Sequence, residues 1–248
     1  MKINDSHVHV GQFNENYFSP ESVYTFLKSV GVEYFAVSSS SICGNDIEKT
    51  LEDINSIILL SKHKALPVLW LTPEIFRYDC LDYFLKSKIM WKCVKMHGFH
   101  DWTHKEIEKA VSVAQQLNIP FMMHTGGREW CNAGQYYSLC KNYPHQLFIL
   151  AHSRPCDETI HIMKNCENTW ADTAFTPLND IVKMVNEGLE DRIIWGSDYP
   201  ITKLYYKRCS IKKIYLKKIE ELSSIIKRDS FMKIIELNFK KIFRLLCI

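Results

Sequence analysis

The sequence predicts an α/β fold, a single (β/α)8 TIM barrel that occupies residues 1–248 as one domain. The length of 248 residues is close to the roughly 250 residues of one such barrel. Eight short runs rich in apolar and β-branched residues recur along the chain, and helical patterns lie between them. An open doubly wound sheet is the structural alternative that the same alternation allows.

The eight predicted strands are nearly continuous in apolar residues, which is typical of strands that are buried on both faces of a parallel sheet. The helices between them are amphipathic, as expected for helices that cover such a sheet. The predicted strands are residues 2–5, 33–38, 66–71, 92–96, 119–124, 147–152, 168–172 and 192–196.

Capping residues mark the ends of the clearest helices. Ser19 and Pro20 predict the start of the first helix, and Gly31 predicts its end. Thr103 and Glu106 have the spacing of a capping box in front of another apolar stripe. These signals place helices directly after the first and fourth predicted strands.

The composition, 46% hydrophobic and 24% charged, predicts a soluble globular protein. Nine scattered cysteines without a C-x-x-C pair, and no apolar signal region, predict reduced thiols in a cytoplasmic protein. No apolar stretch is long enough for a membrane helix. Residues 203–248 are strongly basic, and we favour a solvated helical face over a nucleic-acid or membrane surface. Homo-oligomerisation is left open.

Five residues that can bind a metal or transfer protons follow predicted strands. His7 and His9 are two residues apart on the first strand, so both side chains point to one side. His124 and His152 end the fifth and sixth strands, and Asp198 follows the eighth. Because (β/α)8 enzymes keep their active sites at the carboxyl ends of the strands, the sequence predicts a metal site there.

These motifs resemble the amidohydrolase superfamily. The shared features are D-x-H-x-H at residues 5–9, a histidine after the fifth and sixth strands, and G-S-D-x-P at residues 196–200. The similar branch is the amidohydrolase-related group that includes aminocarboxymuconate-semialdehyde decarboxylase. Its closing helix, with an asparagine, resembles residues 231–239.

The resemblance implies roles for the five residues. His7, His9 and His124 would be metal ligands, and Asp198 would be the fourth ligand or the proton acceptor beside the metal-bound water. His152 would polarise the substrate or stabilise developing charge. A shell of imidazoles and a carboxylate with one open position is typical of catalytic zinc, so we expect a divalent metal, most favourably Zn, as one or two ions.

Further residues have two interpretations each. In binuclear relatives the lysine on the fourth strand is carboxylated and bridges two metals, and Lys95 is at the corresponding position. The alternative role of Lys95 is that of a cation that holds a substrate carboxylate or Asp172. His97 is expected to be a pocket wall or substrate contact. Arg128 and Arg154 follow rim strands, where each either holds a substrate carboxylate or forms a surface salt bridge.

The predicted function is a metal-dependent hydrolase that uses a metal-activated water on a small C–N or ester substrate, such as an amide or lactone. The alternative is a nonoxidative decarboxylase of an aromatic or unsaturated carboxylic acid. A TatD-like deoxyribonuclease is disfavoured, because that group has a glutamate where this chain has Lys95. The intact set of rim residues disfavours a non-enzymatic barrel.

Overall fold

A curled nine-stranded sheet forms the centre of the fold in a computed structural model that describes residues 2–206 and 209–245. The strand order is β2-β1-β3-β4-β5-β6-β7-β8-β9. Eight of the strands are parallel, while β2 pairs with the end of β1 as an antiparallel hairpin. The strands are β1 (Ile3–Phe13), β2 (Asn16–Phe18), β3 (Val32–Ser39), β4 (Ala65–Leu71), β5 (Cys93–Met96), β6 (Phe121–His124), β7 (Phe148–Ala151), β8 (Thr169–Asp172) and β9 (Ile193–Ile194).

Helices follow the parallel strands, and two predicted helix starts are confirmed. The Ser19 side chain accepts a hydrogen bond from Ser22 N, and Thr103 and Glu106 form a complete capping box. The helices are α1 (Pro20–Ser29), α2 (Ile47–Leu60), α3 (Pro73–Arg77), α4 (Leu81–Leu85), α5 (His104–Leu117), α6 (Tyr137–Asn142), α7 (Cys156–Asn165), α8 (Leu178–Asn186), α9 (Ile201–Tyr205), α10 (Ile211–Ile225), α11 (Arg228–Met232) and α12 (Asn238–Ile242). Among the described residues, none of these helices combines the length and apolarity needed to cross a bilayer.

The segment after β9 runs beside β1, and we call this contact the seam. It joins residues 195–199 to residues 6–9, and an isolated parallel bridge links Val8 with Tyr199. The segment that follows the last strand thereby contacts the first strand. Three backbone hydrogen bonds of 2.8 Å form the seam, from Ser6 N to Trp195 O, from Asp198 N to His7 O, and from His9 N to Tyr199 O.

The interior of the sheet is apolar at its amino-terminal end. Phe239 of α12 is fully buried there in one cluster with residues from β3 to β9. Asn238 fixes α12 to the sheet, because its side-chain amide donates to Glu190 O and Ile193 O, each at 2.7 Å. The predicted closing segment is therefore helical, although a π-helical turn, Lys233–Leu237, separates α11 from α12. The carboxyl ends of the strands are left for polar residues.

Candidate metal and catalytic site

A cavity of about 600 Å³ lies at the carboxyl ends of the strands. Most of the residues singled out from the sequence contribute to its wall, which supports the predicted position of the site. Arg128 is not among the described residues of the wall. The predicted residues that line the cavity are His7, His9, Lys95, His97, His124, His152, Arg154 and Asp198.

His7 and His9 point their Nε2 atoms at the Asp198 carboxylate. Asp198 Oδ1 lies 3.4 Å from His7 Nε2 and 3.0 Å from His9 Nε2, and all three side chains are buried. Burial alone would raise the pKa of Asp198, but the neighbouring histidines more than offset it, so the pKa is held below its usual value. Asp198 is therefore a carboxylate at neutral pH.

Asp198 and His152 both have left-handed backbone conformations, with φ of 56° and 72°. Such values are uncommon for residues other than glycine and cluster at functional sites. At Asp198 the conformation is fixed by the seam, where its N–H donates to His7 O at 2.8 Å. The same bond that joins the ends of the sheet thus places the carboxylate beside the first-strand histidines.

Lys95 lies between the two first-strand histidines. Its ammonium group is 2.7 Å from His7 Nε2, 3.1 Å from His9 Nε2 and 4.6 Å from the centre of the Trp70 ring. Burial lowers the pKa of Lys95 to about 8, although the negative charge of Asp198 works against this shift. A positive charge is thus accommodated between these histidines, at a place that a metal ion could also occupy.

His124 and His152 form a second pair of imidazoles. His152 Nε2 is 3.1 Å from His124 Nδ1, and the two outer nitrogens each face a backbone carbonyl at 3.1 Å, Gly126 O and Ala174 O. Burial lowers the pKa of both rings, that of His124 to about 3, so each imidazole carries one proton. Two protons cannot satisfy three contacts, so one contact lacks its hydrogen.

A cation at His152 Nε2 would remove the need for the missing hydrogen. His152 would then donate from Nδ1 to Ala174 O and offer the lone pair of Nε2 to the cation. His7 has the same arrangement, because its Nδ1 faces Asp172 Oδ1 at 3.5 Å while its Nε2 points inward. Metal-binding histidines typically donate their other N–H to a carboxylate or carbonyl in this way. The residues present therefore fit a metal ion.

Asp172 lies at the end of β8 and accepts hydrogen bonds from residues that surround the site. Its Oδ1 accepts from Ala174 N at 2.8 Å and His152 N at 3.2 Å, while its Oδ2 accepts from Ser6 Oγ at 2.7 Å. Burial works to raise the pKa of Asp172, but His7 and these donors outweigh it and the pKa is lowered. From the sequence Asp172 was expected only as a possible partner of Lys95, although its place at the end of a predicted strand was a usable signal.

One group of side chains is close enough to bind a single ion together. The ligand atoms of His7, His152 and Asp198 all lie within 4.8 Å of one another. His9 and His124, which the resemblance named as ligands, lie outside this group but next to it, through Asp198 and His152 respectively. The geometry thus brings His152 closer to the centre than the sequence analysis expected.

His97 and Arg128 have different surroundings. The His97 ring stacks on the His124 ring at 3.9 Å between centroids, and burial lowers its pKa, so it is a neutral wall of the cavity. Arg128 is exposed, and its guanidinium lies 4.7 Å above the Phe99 ring and 5.1 Å above the Trp130 ring. Arg128 therefore packs on aromatic rings outside the cavity wall.

Aromatic residues complete the cavity, and none of these was assigned from the sequence. They come from β1, from β4 and from segments that follow other strands, where no motif marks their role. Their flat apolar faces enclose the polar residues described above. The aromatic residues of the wall, besides the histidines, are Phe13, Trp70, Phe99, Phe175, Tyr205 and Tyr206.

Comparison with protein families gives one match. The family model described as Amidohydrolase matches residues 93–226, which is just over half of the chain. The matched region contains Lys95, His124, His152, Asp172 and Asp198 but not His7 and His9. No curated protein sequence is recognisably similar to this chain.

Several solved structures share the fold at low sequence identity. A probable 2-pyrone-4,6-dicarboxylic acid hydrolase from Acinetobacter baumannii, with citric acid bound, aligns at a TM-score of 0.74 and 13% identity, covering 98% of this chain and 100% of that one. An uncharacterised TIM-barrel protein from Bordetella bronchiseptica has a TM-score of 0.71 and 16% identity, with 98% and 99% covered. An amidohydrolase from Mycoplasma synoviae aligns at a TM-score of 0.67 and 13% identity, and the alignment covers 98% of this chain and 87% of that one.

Proposed function

Because the chain belongs to the amidohydrolase family, we propose that it hydrolyses a C–N or ester bond of a small amide- or lactone-type molecule with a metal-activated water. Enzymes of this family are metal-dependent hydrolases in general. The observation that carries the proposal is the buried group of His7, His152 and Asp198, whose ligand atoms lie within 4.8 Å of one another at the strand ends.

We also propose that the seam closes the sheet into a single (β/α)8 barrel and that residues 1–248 form one domain. Eight parallel strands and the three hydrogen bonds between residues 6–9 and 195–199 support the closed form. In an open doubly wound sheet the first strand lies inside the sheet and away from the last strand, so these bonds would not exist.

We propose zinc as the metal, because the surrounding donors are mainly imidazole nitrogens with one carboxylate. His7, His9 and Asp198 would hold it. The resemblance adds His124 to this set, whereas the described geometry favours His152 as the further ligand. When bound, such an ion supplies a Lewis acid that makes water acidic enough to give a nucleophile near neutral pH.

The chain's own residues then handle the proton and the developing charge. Asp198 Oδ1 accepts the proton of the attacking water and returns it to the leaving nitrogen or oxygen. Its lowered pKa keeps it ready as a base at neutral pH. His152 is left to polarise the reacting carbonyl only if His124 is the further metal ligand, and in either case Asp172 holds the His152 backbone N–H at 3.2 Å. The aromatic wall excludes bulk water from these residues.

The test is Asp198→Asn, which keeps the size of the side chain but removes the base. We expect folded protein, partly retained metal and a kcat lower by roughly 10²–10⁴ on the best substrate from a panel of lactones, amides and aromatic acids. Asp46→Asn is the matched control, because Asp46 caps α2 and asparagine caps equally well. This control should retain full activity.

Two results would contradict the proposal. The first is a near-normal kcat in Asp198→Asn with its metal retained. The second is wild-type protein that holds no transition metal after reconstitution, measured by elemental analysis. The decarboxylase alternative is favoured only by the cations at the cavity, Lys95 and Arg154, which suit an acidic substrate. Release of CO₂, without incorporation of ¹⁸O from labelled water, would establish it instead.

A further inference from the structure

The inner face of α10 carries two polar side chains among its apolar ones. Tyr215 and Lys218 are three residues apart, so they lie on the same side of the helix. Ile219 and Leu222 on this side are buried in an apolar cluster, whereas Lys217 on the outer side is exposed. A lysine on the inner side of a surface helix is unusual, because burial of a charge is costly. Both polar side chains therefore need an explanation beyond apolar packing.

The Tyr215 hydroxyl bridges two segments that are far apart in the sequence. It accepts a hydrogen bond from Trp195 Nε1 at 3.0 Å and donates one to Asp5 Oδ2 at 3.1 Å. All three residues are buried. A hydroxyl has a single hydrogen to donate, and here that hydrogen is directed at a carboxylate, which makes the bond one of the stronger kind.

Asp5 connects Tyr215 to both sides of the seam. Its other oxygen, Oδ1, accepts hydrogen bonds from His7 N at 3.1 Å and from Ser197 N at 3.0 Å. His7 belongs to β1, and Ser197 belongs to the segment that contains Asp198, so one carboxylate ties the two sides together. Tyr215 holds the opposite oxygen and thereby fixes the orientation of this carboxylate.

Lys218 reaches the end of β8. Its ammonium group donates to Thr173 O at 2.9 Å and lies 5.4 Å from the centre of the Trp195 ring. Thr173 directly follows Asp172, and its hydroxyl accepts a hydrogen bond from Gly196 N at 3.0 Å. Burial lowers the pKa of Lys218 to about 8, while the negative charge of Asp172 works against this shift. The helix α10 therefore contacts the segment after β8 as well as the seam.

We propose that α10 is a positioning element of the metal site, in which Tyr215 aligns the two sides of the seam and Lys218 holds the end of β8. The inference rests on the proposed function in naming the metal site as the object that is positioned. The seam places Asp198 beside His7 Nε2, and β8 ends in Asp172, which faces His7 Nδ1. Because hydrogen bonds are stronger in a buried site than in water, the loss of either contact should loosen this alignment.

Hydrogen exchange of the metal-free protein, followed by mass spectrometry, tests the positioning directly. Tyr215→Phe keeps the ring and removes the hydroxyl. We expect exchange in residues 6–9 and 195–199 to become about tenfold faster, as for the loss of one hydrogen bond to a charged group. Exchange in α5, which follows β5 in the middle of the strand order, reports on the rest of the fold and should rise less.

Lys218→Met is the second variant, because it keeps the length of the side chain but removes the ammonium group. It should speed up exchange in residues 172–174, while Tyr215 keeps its bonds at the seam. If Tyr215→Phe fails to fold, as judged by circular dichroism, Lys218→Met decides the inference in the same assay.

The matched control is Tyr17→Phe, which removes a hydroxyl that donates to another buried carboxylate, that of Asp53, at 2.8 Å. This pair lies outside the described wall of the cavity, so the control should leave exchange in residues 195–199 unchanged.

A metal readout connects the positioning to the proposed metal site. Cobalt(II) in place of zinc gives visible absorption bands that depend on the arrangement of the ligands. We expect Tyr215→Phe to change these bands and to weaken zinc binding about tenfold in competition with a chelator, whereas Tyr17→Phe should change neither. If the wild-type protein binds no metal, the hydrolase proposal fails, but the exchange measurements still decide whether α10 aligns the seam.

Three results would overturn the inference. The first is unchanged exchange at the seam in Tyr215→Phe, or an increase no larger than that in α5. The second is an equal increase in residues 195–199 in Tyr17→Phe. The third is a cobalt spectrum and a zinc affinity in Tyr215→Phe that match those of the wild-type protein, which would leave α10 as a cover for the apolar cluster.

Discussion

Asp172 provides the sharpest test of how the protein prepares its metal site. The carboxylate is fully buried and lies next to the inner histidines without belonging to the group of three that could share an ion. Asp172→Asn preserves volume and one acceptor oxygen. In the wild-type protein the Ser6 hydroxyl donates to Asp172 Oδ2 at 2.7 Å. In the variant this hydroxyl can rotate and accept a hydrogen bond from the new side-chain amide. The variant therefore removes mainly the negative charge that faces His7 Nδ1.

The expected size of the effect follows from the role of that charge. A carboxylate behind a metal-binding histidine fixes the tautomer and raises the basicity of the ring, and its loss costs roughly 10–100-fold in metal affinity. At a zinc concentration of 100 times the wild-type dissociation constant, binding stabilises the wild-type protein by ~2.7 kcal/mol. At the same zinc concentration, binding should stabilise Asp172→Asn by ~1.4 kcal/mol if the affinity falls about 10-fold and by ~0.4 kcal/mol if it falls about 100-fold.

The assay is competition for zinc against a fluorescent chelator, together with unfolding in denaturant with and without zinc. Asp53→Asn is the matched control. Asp53 is also a buried carboxylate with hydroxyl donors, Ser39 at 3.0 Å, Ser41 at 2.8 Å and Tyr17 at 2.8 Å, but it does not line the cavity. We expect it to lower the free energy of unfolding of the metal-free protein and to leave zinc affinity unchanged. Unchanged zinc affinity in Asp172→Asn, or an equal loss in both variants, would refute the argument.

Two further predictions concern Lys95 and Glu106. Lys95→Met should leave about one zinc ion per chain and raise KM, because the ammonium, which is 2.7 Å from His7 Nε2, is a cation that lines the cavity; a fall from two ions to one, measured by elemental analysis, would show a bridging lysine instead. Hydrogen bonding to Arg77 lowers the pKa of Glu106 to about 2. Since this is below the unfolded value of about 4.3, the carboxylate stabilises the fold above that pH and the stabilisation is lost as pH falls towards 2. Glu106→Gln should therefore cost about 1 kcal/mol at pH 7 and nothing near pH 2 in denaturant unfolding; equal losses at both would contradict this.

The strands were predictable where burial alone determines the residues. The run 92–96 corresponds to β5, Cys93–Met96, because both of its faces are covered and its residues, apart from Lys95, are apolar. The apolar run predicted β1 only to residue 5, yet the strand continues to Phe13. The run was interrupted because Ser6, His7 and His9 are polar although they are buried. The β2 hairpin was not predicted. It turns at Asn14, with φ of 52°, and β2 is largely exposed, so no apolar pattern marks it.

The site was predictable as a set of residues but not as a geometry. Strand parity and strand ends are encoded locally, so His7, His9 and Asp198 could be placed on one rim before the structure was known. The relation between His124 and His152 depends on the carbonyls of the loops that follow β6 and β8. Loop positions come from packing between distant segments, which no local pattern records.

The seam has a consequence for how the protein acquires its activity during folding. His7 and Asp198 are about 190 residues apart in the sequence, yet one backbone hydrogen bond of 2.8 Å fixes their relation. Contacts of such high sequence separation form late, because the entropy of closing the loop between them opposes their formation. A partly folded chain can therefore contain most of its strands and still lack a functional centre. Zinc capture followed in a stopped-flow refolding experiment would then report the last step of assembly rather than the first collapse.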